Sequence, residues 1–408
     1  MAEFHEYKER KGGCAMCGNS PTNHLAAYLI STLFIWETSL SRRFCKGDNL
    51  FTSLGRRLRD FFSKLEHTHY GAAIRVGLIR VNTDPTRAAT YRSQVIWEEA
   101  LRRGIPMEQL CVFGSYTDVY RARIKERWEY FESLPIPTHL MQDSYEWIDD
   151  KFLLFGALTA ADIPVPRTYS VRSEHAALQA FNDLEGAAVT KPRTGSRGRH
   201  TTTSIQSEEE LRRAFRSARM LSRYVCVSKS LSGSVCRGTL VQGELAGFFQ
   251  ADPPRLTGDG ASSIRELVAR KNQEKPERVE MIMLTDEHGA FLERRYGYTF
   301  DSIPADGMRI DLTHRTGRLF GGETCEHGRN IHPKLRAHLE NAAHTLGVPV
   351  VGFDLIIEDP MQDPDTQEWG IIEANSLPFI DLHYLPLYGV PSNVAAQVWD
   401  LWSVPKNV

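Results

Sequence analysis

The chain has 408 residues, 41% of them hydrophobic, with 49 Lys and Arg against 51 Asp and Glu for a formal net charge of -2. That is enough apolar material for two or three packed domains, and it excludes a simply disordered chain. The near-cancelling charge gives no global reason to expect nucleic acid or an anionic membrane as partner.

The N-terminal stretch MAEFHEYKERKGG leads into no apolar signal core, and the seven cysteines are too scattered for a disulfide framework, so a cytoplasmic protein is expected. The most apolar run, Leu25 to Trp36, is shorter than the roughly 20 residues a spanning helix requires and reads as a buried or interfacial helix. Residues 1–70 form an expected helical extension. From Ala72 the pattern turns to a strand, then a helix over Ala88 to Arg103 and a strand near Gln109 to Phe113, which suggests a small α/β domain over 71–145.

A helix from Asp150 is stopped by Pro164 and Pro166, which force an extended exit. Strands are then expected over Ala187 to Lys191, Thr201 to Ile205, Tyr224 to Ser228, Thr239 to Gln250, Arg309 to Leu312, Pro349 to Ile357 and Gly370 to Asn375. Helices are expected near Glu208 to Leu221, Ser263 to Asn272 and Pro333 to Leu346.

Two of these segments carry chemistry. Val350-Val-Gly-Phe-Asp354 and Gly370-Ile-Ile-Glu373-Ala-Asn375 read as an antiparallel pair with a long connection. Side chains two apart on a strand share a face, so Glu373 and Asn375 point the same way and can meet Asp354 across the pair. Two carboxylates and an amide oxygen on rigid strands suit Mg²⁺ carried by a nucleotide, with an acidic strand end plus a turn as the plain alternative. Separately, Lys191-Pro-Arg-Thr-Gly195-Ser196-Arg-Gly198 sets a lysine at a strand end before a loop whose glycines let backbone N–H groups close over phosphate oxygens. That loop matches neither common nucleotide-binding signature and is by itself equally a hairpin turn.

The order of the segments adds what none carries alone. Ile371-Ile-Glu-Ala-Asn-Ser-Leu-Pro378 followed by His383, Leu256-Thr-Gly-Asp-Gly260 with Ser263-Ile-Arg-Glu-Leu267, and Asp301-Ser-Ile-Pro304 resemble the ATP-grasp region of cyanophycin synthetase. More distantly they are similar to glutathione synthetases and D-alanine-D-alanine ligase. The resemblance covers about 145 to 402 and implies an α/β (α+β) protein: an ATP-grasp fold of two subdomains, 146–225 and 226–408, gripping ATP behind the small domain and the extension.

It further implies a carboxylate-amine ligase that forms an amide through an acyl phosphate and releases ADP and phosphate. Lys151 and Lys191 are then expected on the phosphates together with Gly195, Ser196 and Gly198, and the backbone near Lys229 and Leu231 on adenine. Asp354, Glu373 and Asn375 are expected on magnesium, as two ions, with Mn²⁺ as a substitute. Arg237 is expected to reach the transferred phosphoryl group, and Arg315 or Arg318 to replace an arginine missing from the segment before Gly321-Gly322. Ser228 and Val235 stand where relatives carry acidic residues that touch the adenosine. The substrates implied are small carboxylates and amines, amino acids or short peptides. Nucleic acid and membrane are not expected as partners, and homo-oligomer formation is left open. Two other readings stand beside this one: a ligase that modifies a protein or ribosomal peptide, and an ATP-binding regulatory or scaffold protein without turnover.

Weaker signals remain. Cys14-x-x-Cys17 with His24 and Cys45 has part of a zinc-site spacing, but cysteines packed without metal are the expectation. Cys325-Glu-His327 with His332 is read as a solvated loop, and the arginine-rich segment from Leu211 to Arg216 as a solvated helix face. His383 is equally a structural hydrogen-bonding group or a substrate contact.

Overall fold

The computed structural model describes residues 24–25, 28–29, 31–32, 35, 70–112, 114–140, 146–194 and 199–403. Among these, no helix is long and apolar enough to cross a membrane. The chain divides into two compact units. The first includes Asp149–Gly156 and Pro166–Ser230, and the second includes the described residues from 70 to Ile148, Ala157–Val165 and those from Leu231 onward.

The second unit begins with an antiparallel sheet in the order β1-β2-β3-β4, formed by β1 (Ile79–Asn82), β2 (Met107–Val112), β3 (Ser115–Ile124) and β4 (Arg127–Glu132). One helix, α1 (Tyr91–Arg102), joins β1 to β2 and buries Val95, Ile96, Trp97 and Ala100. Three departures from the sequence expectation have local causes. Residues 70–75 are helical, not extended. Gly77 at φ 77° ends that turn, with Leu78 N–H donating to Ala73 O at 2.9 Å and Gly77 N–H to Ile74 O at 3.1 Å, the paired bonds of a left-handed helix stop. The sheet is antiparallel throughout, so it lacks the alternating strand-helix repeat that the sequence suggested. Finally, β3 and β4 turn on Lys125 and Glu126, both at positive φ (47° and 66°), a tight hairpin made without the Asn-Gly pair that normally announces one.

The first unit includes the start of α2 (Lys151–Thr159), whose last residues belong to the second unit. It carries an antiparallel sheet in the order β5-β8-β6-β7, from β5 (Thr168–Val171), β6 (Ala188–Pro192), β7 (Thr202–Ile205) and β8 (Val225–Lys229). Helices α3 (Glu174–Leu184) and α4 (Glu208–Arg219) cover it, joining Ala177, Ala180 and Leu184 with Leu211, Ala214 and Phe215 in one core. Ser173 and Ser207 cap these helices through bonds to the backbone N–H groups of Ala176 and Glu210. The arginine stripe of α4 is consumed locally: Arg212 and Arg216 pair with Glu174, and Arg213 with Glu209. A solvated ion-paired face accounts for it.

The rest of the second unit is built on a six-stranded sheet in the order β15-β14-β9-β10-β13-β16. Its strands are β9 (Ser234–Val241), β10 (Glu244–Ala251), β13 (Thr324–Glu326), β14 (Val350–Ile357), β15 (Gly370–Asn375) and β16 (Tyr388–Gly389). The single strand expected over Thr239 to Gln250 is a β9-β10 hairpin turning on Gln242 and Gly243, both at positive φ. A satellite of β11 (Arg255–Thr257), β12 (Arg309–Asp311), α5 (Ile264–Glu274) and α6 (Asp286–Tyr296) has its own core around Ile264, Leu292 and Ile310. On the main sheet, α7 (Pro333–Leu346) packs on one face, with Leu339 against Gly238, where a Cβ would lie 3.0 Å from its Cδ1. On the other face Val241, Ala246 and Val350 join α1 and α8 (Val394–Asp400) in a core with Trp97, Tyr120 and Trp399.

Candidate active site

On β9 and β14 the face that carries Val241 and Val350 continues, two residues at a time, through Thr239 and Gly352 to Arg237 and Asp354. One end of the face is therefore closed by apolar packing while the other turns polar. The register aligns Arg237, Asp354 and Glu373 in one row across β9, β14 and β15, and Thr239, Gly352 and Asn375 in the next. The sequence expectation that Glu373 and Asn375 share a face with Asp354 corresponds to these two rows.

The row is held by a bidentate pair. Arg237 Nε donates to Asp354 Oδ1 at 2.6 Å and Nη2 to Oδ2 at 2.9 Å, and Asn375 Nδ2 lies 3.3 Å from Oδ2. Burial pulls the Arg237 guanidinium down, and the charges of Asp354, Glu373 and Asp381 more than restore it. Gly352 makes room for this fork: a Cβ there would sit 2.7 Å from Pro378 Cβ and 3.1 Å from Arg237 Nη1. That Nη1 is buried and has no hydrogen-bond partner.

A buried constellation adjoins it. His383 is fully buried, its Nδ1 2.7 Å from Glu326 Oε2 and its Nε2 2.7 Å from Thr239 Oγ1. Glu326 Oε1 also accepts from the backbone N–H of Phe248 and of Gly328 and from Ser392 Oγ. Burial pushes the Glu326 carboxyl up, but the His383 bond and charge, Ser392 and the Gly328 N–H outweigh it and hold the group below the ordinary carboxylate range. Gly247 admits the imidazole, since a Cβ would come within 2.8 Å of Nδ1. The geometry decides between the two readings of His383 in favour of a structural clamp that ties the turn after β15 to the central strand β9. The Cys325-Glu-His327 segment likewise serves hydrogen bonding, with His327 Nε2 2.8 Å from Gln250 Oε1 and His332 capping α7.

The lysines expected on phosphates lie in the first unit. Lys151 starts α2 at 2% exposure, and Lys191 on β6 is also buried, its Nζ 5.4 Å from the Phe155 ring centre. Beside them Asp150 caps the first turn of α2 through Phe152 and Leu153 and takes Arg193 Nε on both carboxylate oxygens, at 2.7 and 2.9 Å. Cys226, opposite Lys191 on β8, has its thiol pushed up to about 11 by burial, against the pull of Lys191 and Lys151, so it is no nucleophile at neutral pH.

Gly195, Ser196 and Gly198 lie outside the described residues, as do Cys14, Cys17 and Cys45. Lys229 ends β8 and donates its N–H to Arg167 O, and Leu231 follows at the start of the second unit. Ser228 is buried, with Thr168 Oγ1 donating to its hydroxyl. Arg315 pairs with Glu287 at 3.4 Å and stacks over Phe320, and Arg318 opens a short turn before Gly321. Neither belongs to the Arg237–Asp354 row.

Among the described residues no group of three or more His, Cys, Asp or Glu side chains gathers as a metal site. The set in question here is two carboxylates and an amide on adjoining rows, an all-oxygen donor set of the kind a hard divalent cation accepts.

No family model matches the chain. It is 28% identical over 315 residues to a cyanophycin synthetase of Trichormus variabilis, covering 76% of this chain and 34% of that protein. It is 25% identical over 319 residues to the glutathione biosynthesis bifunctional protein GshAB of Mannheimia succiniciproducens, covering 75% of this chain and 42% of the relative. These relatives support an enzyme of the ATP-grasp superfamily. The chain spans about a third of the length of the cyanophycin synthetases it matches. A bifunctional glutathione synthetase structure from Pasteurella multocida aligns with 76% of this chain and 44% of its own, at 23% identity and a TM-score of 0.48.

Sequence reading had named Arg237 and Asp354 separately but not their pairing, and it missed Thr239, Glu326 and Asp381. The signal for Thr239 was available, because it lies two residues beyond Arg237 on the same strand face.

Proposed function

We propose that this protein is an ATP-dependent carboxylate-amine ligase that joins a small carboxylate to an amine, with amino acids or short peptides as the substrate class. The observation that carries the reading is the row Arg237–Asp354–Glu373 with Asn375 beside it, which pairs a half-exposed oxygen donor set with a buried guanidinium whose Nη1 is still unbonded. Asp354, Glu373 and Asn375 are the residues that would hold magnesium. Bound there, the ion would neutralise phosphate charge, which is most of what phosphoryl transfer asks of a protein.

The remaining work falls to the chain's own groups. Arg237 donates through Nη1 to an oxygen of the activated carboxylate or transferred phosphoryl group, and its bidentate bond to Asp354 fixes the direction of that donor. Lys151 and Lys191, buried and strand- or helix-anchored, supply positive charge to phosphate oxygens. In this scheme no side chain becomes covalently bonded to substrate: the carboxylate oxygen takes the terminal phosphoryl group of ATP as ADP leaves, the amine, having given up its extra proton to solvent, attacks the acyl carbon, and phosphate leaves as the amide nitrogen loses a further proton.

The test is phosphate release from Mg-ATP over paired pools of carboxylates and amines, with the product identified by mass. Glu373→Gln and Lys191→Ala are each expected to lower turnover at least a hundredfold while the far-ultraviolet spectrum stays unchanged. Wild-type turnover in both variants would overturn the site assignment.

A further inference from the structure

Asp381 lies in the short helical turn Ile380–Tyr384 that follows β15, and its Oδ1 is buried without any hydrogen-bond partner. A buried carboxylate oxygen left unbonded is costly, and a protein keeps one where something else completes it. The charges that face Asp381 are known from each neighbouring element: Arg237 on β9, Arg92 on α1, and His383 on its own turn.

None of these three makes a hydrogen bond to Oδ1. Arg92 donates through Nη1 to Leu377 O and through Nη2 to Ser133 Oγ and Asp118, stacks over Phe379 at 4.7 Å, and keeps a buried Nε without a partner. His383 is taken at both ring nitrogens by Glu326 and Thr239. Arg237 gives Nε and Nη2 to Asp354. The result is an unbonded acceptor on Asp381 and unbonded donors on Arg237 and Arg92, all buried, with both guanidinium charges acting on the carboxylate. A ligand that satisfies Asp381 and Arg237 presents an acceptor oxygen to the guanidinium and a cationic N–H to the carboxylate.

We propose that Asp381 is the specificity group for the amine substrate, its Oδ1 accepting an N–H of a cationic amine held next to the carboxylate end that Arg237 engages. This rests on the ligase reading, and it goes beyond that reading by assigning which residue selects a charged amine over a neutral one. Burial disfavours the charged Asp381 in the free protein, and its own backbone N–H together with the charges of Arg92, Arg237 and His383 offsets that only in part. An arriving ammonium supplies the missing charge and the missing hydrogen bond together.

The experiment compares the full-length wild type with Asp381→Asn and Asp381→Glu, using Mg-ATP and a mixture of the twenty common amino acids as carboxylate donors. Two nucleophiles are offered in parallel: hydroxylamine, small and largely uncharged at pH 7.5, which traps activated carboxylate as hydroxamate, and the cationic amines of the amino acids themselves. The expected result for Asp381→Asn is hydroxamate formation and ATP KM within twofold of wild type, an amine KM raised at least tenfold, and partial recovery in Asp381→Glu. Its melting temperature is expected to equal or exceed the wild-type value, because an unpaired buried charge has been removed, whereas a purely structural carboxylate would lower it. Unchanged amine KM alongside normal hydroxamate formation would overturn this inference and leave the ligase reading standing. An equal fall in both products, or a lowered melting temperature, would overturn it in favour of a structural role. No hydroxamate and no amide from the wild type would overturn the ligase reading, and this inference with it.

Discussion

Removing the Glu326 carboxylate tests whether the clamp on His383 is a main support of the candidate site. In Glu326→Ala the Phe248 N–H, fully buried, loses its acceptor, at about 2 kcal/mol for a stranded buried donor. The Gly328 N–H is only partly buried, and about half that cost is assigned to it. Loss of the charge-assisted bond to His383 adds about 1.5 kcal/mol. Ser392 can rotate its hydroxyl elsewhere and is assigned no cost. The expected destabilisation is therefore about 4.5 kcal/mol, large against an ordinary domain stability of about 5–15 kcal/mol. Glu326→Gln keeps the acceptor for both backbone groups and for Ser392, and the His383 ring can shift its proton to Nε2 and donate to Thr239. Only the charge assistance is lost, so about 1.5 kcal/mol is expected.

Urea unfolding followed by tryptophan fluorescence measures both losses as shifts in midpoint at constant slope. A cost below about 1 kcal/mol for the alanine variant, or equal costs for the two variants, would refute the hydrogen-bond account. The pH dependence gives an independent check. Because the folded state holds the Glu326 carboxyl below its ordinary range, the folded protein binds fewer protons than the unfolded one in that window. The stabilisation is fully present above the unfolded-state pKa and is lost as pH falls through the folded-state value. The gap in midpoint between wild type and Glu326→Gln should accordingly be constant near neutrality and shrink in acid.

Three further outcomes are expected. Gly352→Ala brings a methyl within 2.7 Å of Pro378 and 3.1 Å of Arg237 Nη1, so a stability loss of about 1–3 kcal/mol and a raised KM for the carboxylate are expected in urea unfolding and steady-state kinetics. Arg237→Lys replaces a planar fork by a single ammonium and removes the Nη1 donor; kcat should fall about 10²- to 10³-fold, and a fall below tenfold would show that the fork is dispensable. Replacing Lys125-Glu126 by Asn-Gly relieves two residues of positive φ at the β3-β4 turn and should raise the melting temperature without altering turnover. The sign of that shift is the test.

Which parts of this protein were legible in its sequence follows from where the information is local. Strand β14 and strand β15 were read almost residue for residue because an apolar run with an acidic end states both burial and face. That Asp354, Glu373 and Asn375 share a face followed from strand periodicity, while their proposed magnesium role came from the resemblance. What stayed hidden depended on contacts between distant segments. β3 and β4 carry charges such as Arg121, Arg123 and Glu129 on a half-exposed sheet and turn without glycine, so neither composition nor punctuation marked them. Glu326 and His383 are 57 residues apart and Arg237 and Asp354 are 117 apart, and only the folded sheet brings either pair together.

The same distinction explains why the sequence reading placed Arg237 on a ligand and overlooked its protein partner. A lone arginine on a strand advertises charge, but whether that charge is committed depends on the register of the neighbouring strand. Here the register commits two of its nitrogens to Asp354 and leaves the third over Gly352, so the sheet itself converts a general cation into a donor with a fixed direction. Asp381, brought to the same place by the turn after β15, is the acceptor that such a donor leaves unanswered. On the proposed ligase reading the pair would give the site two distinct ends, and holding a carboxylate beside an amine needs that asymmetry more than it needs additional charge.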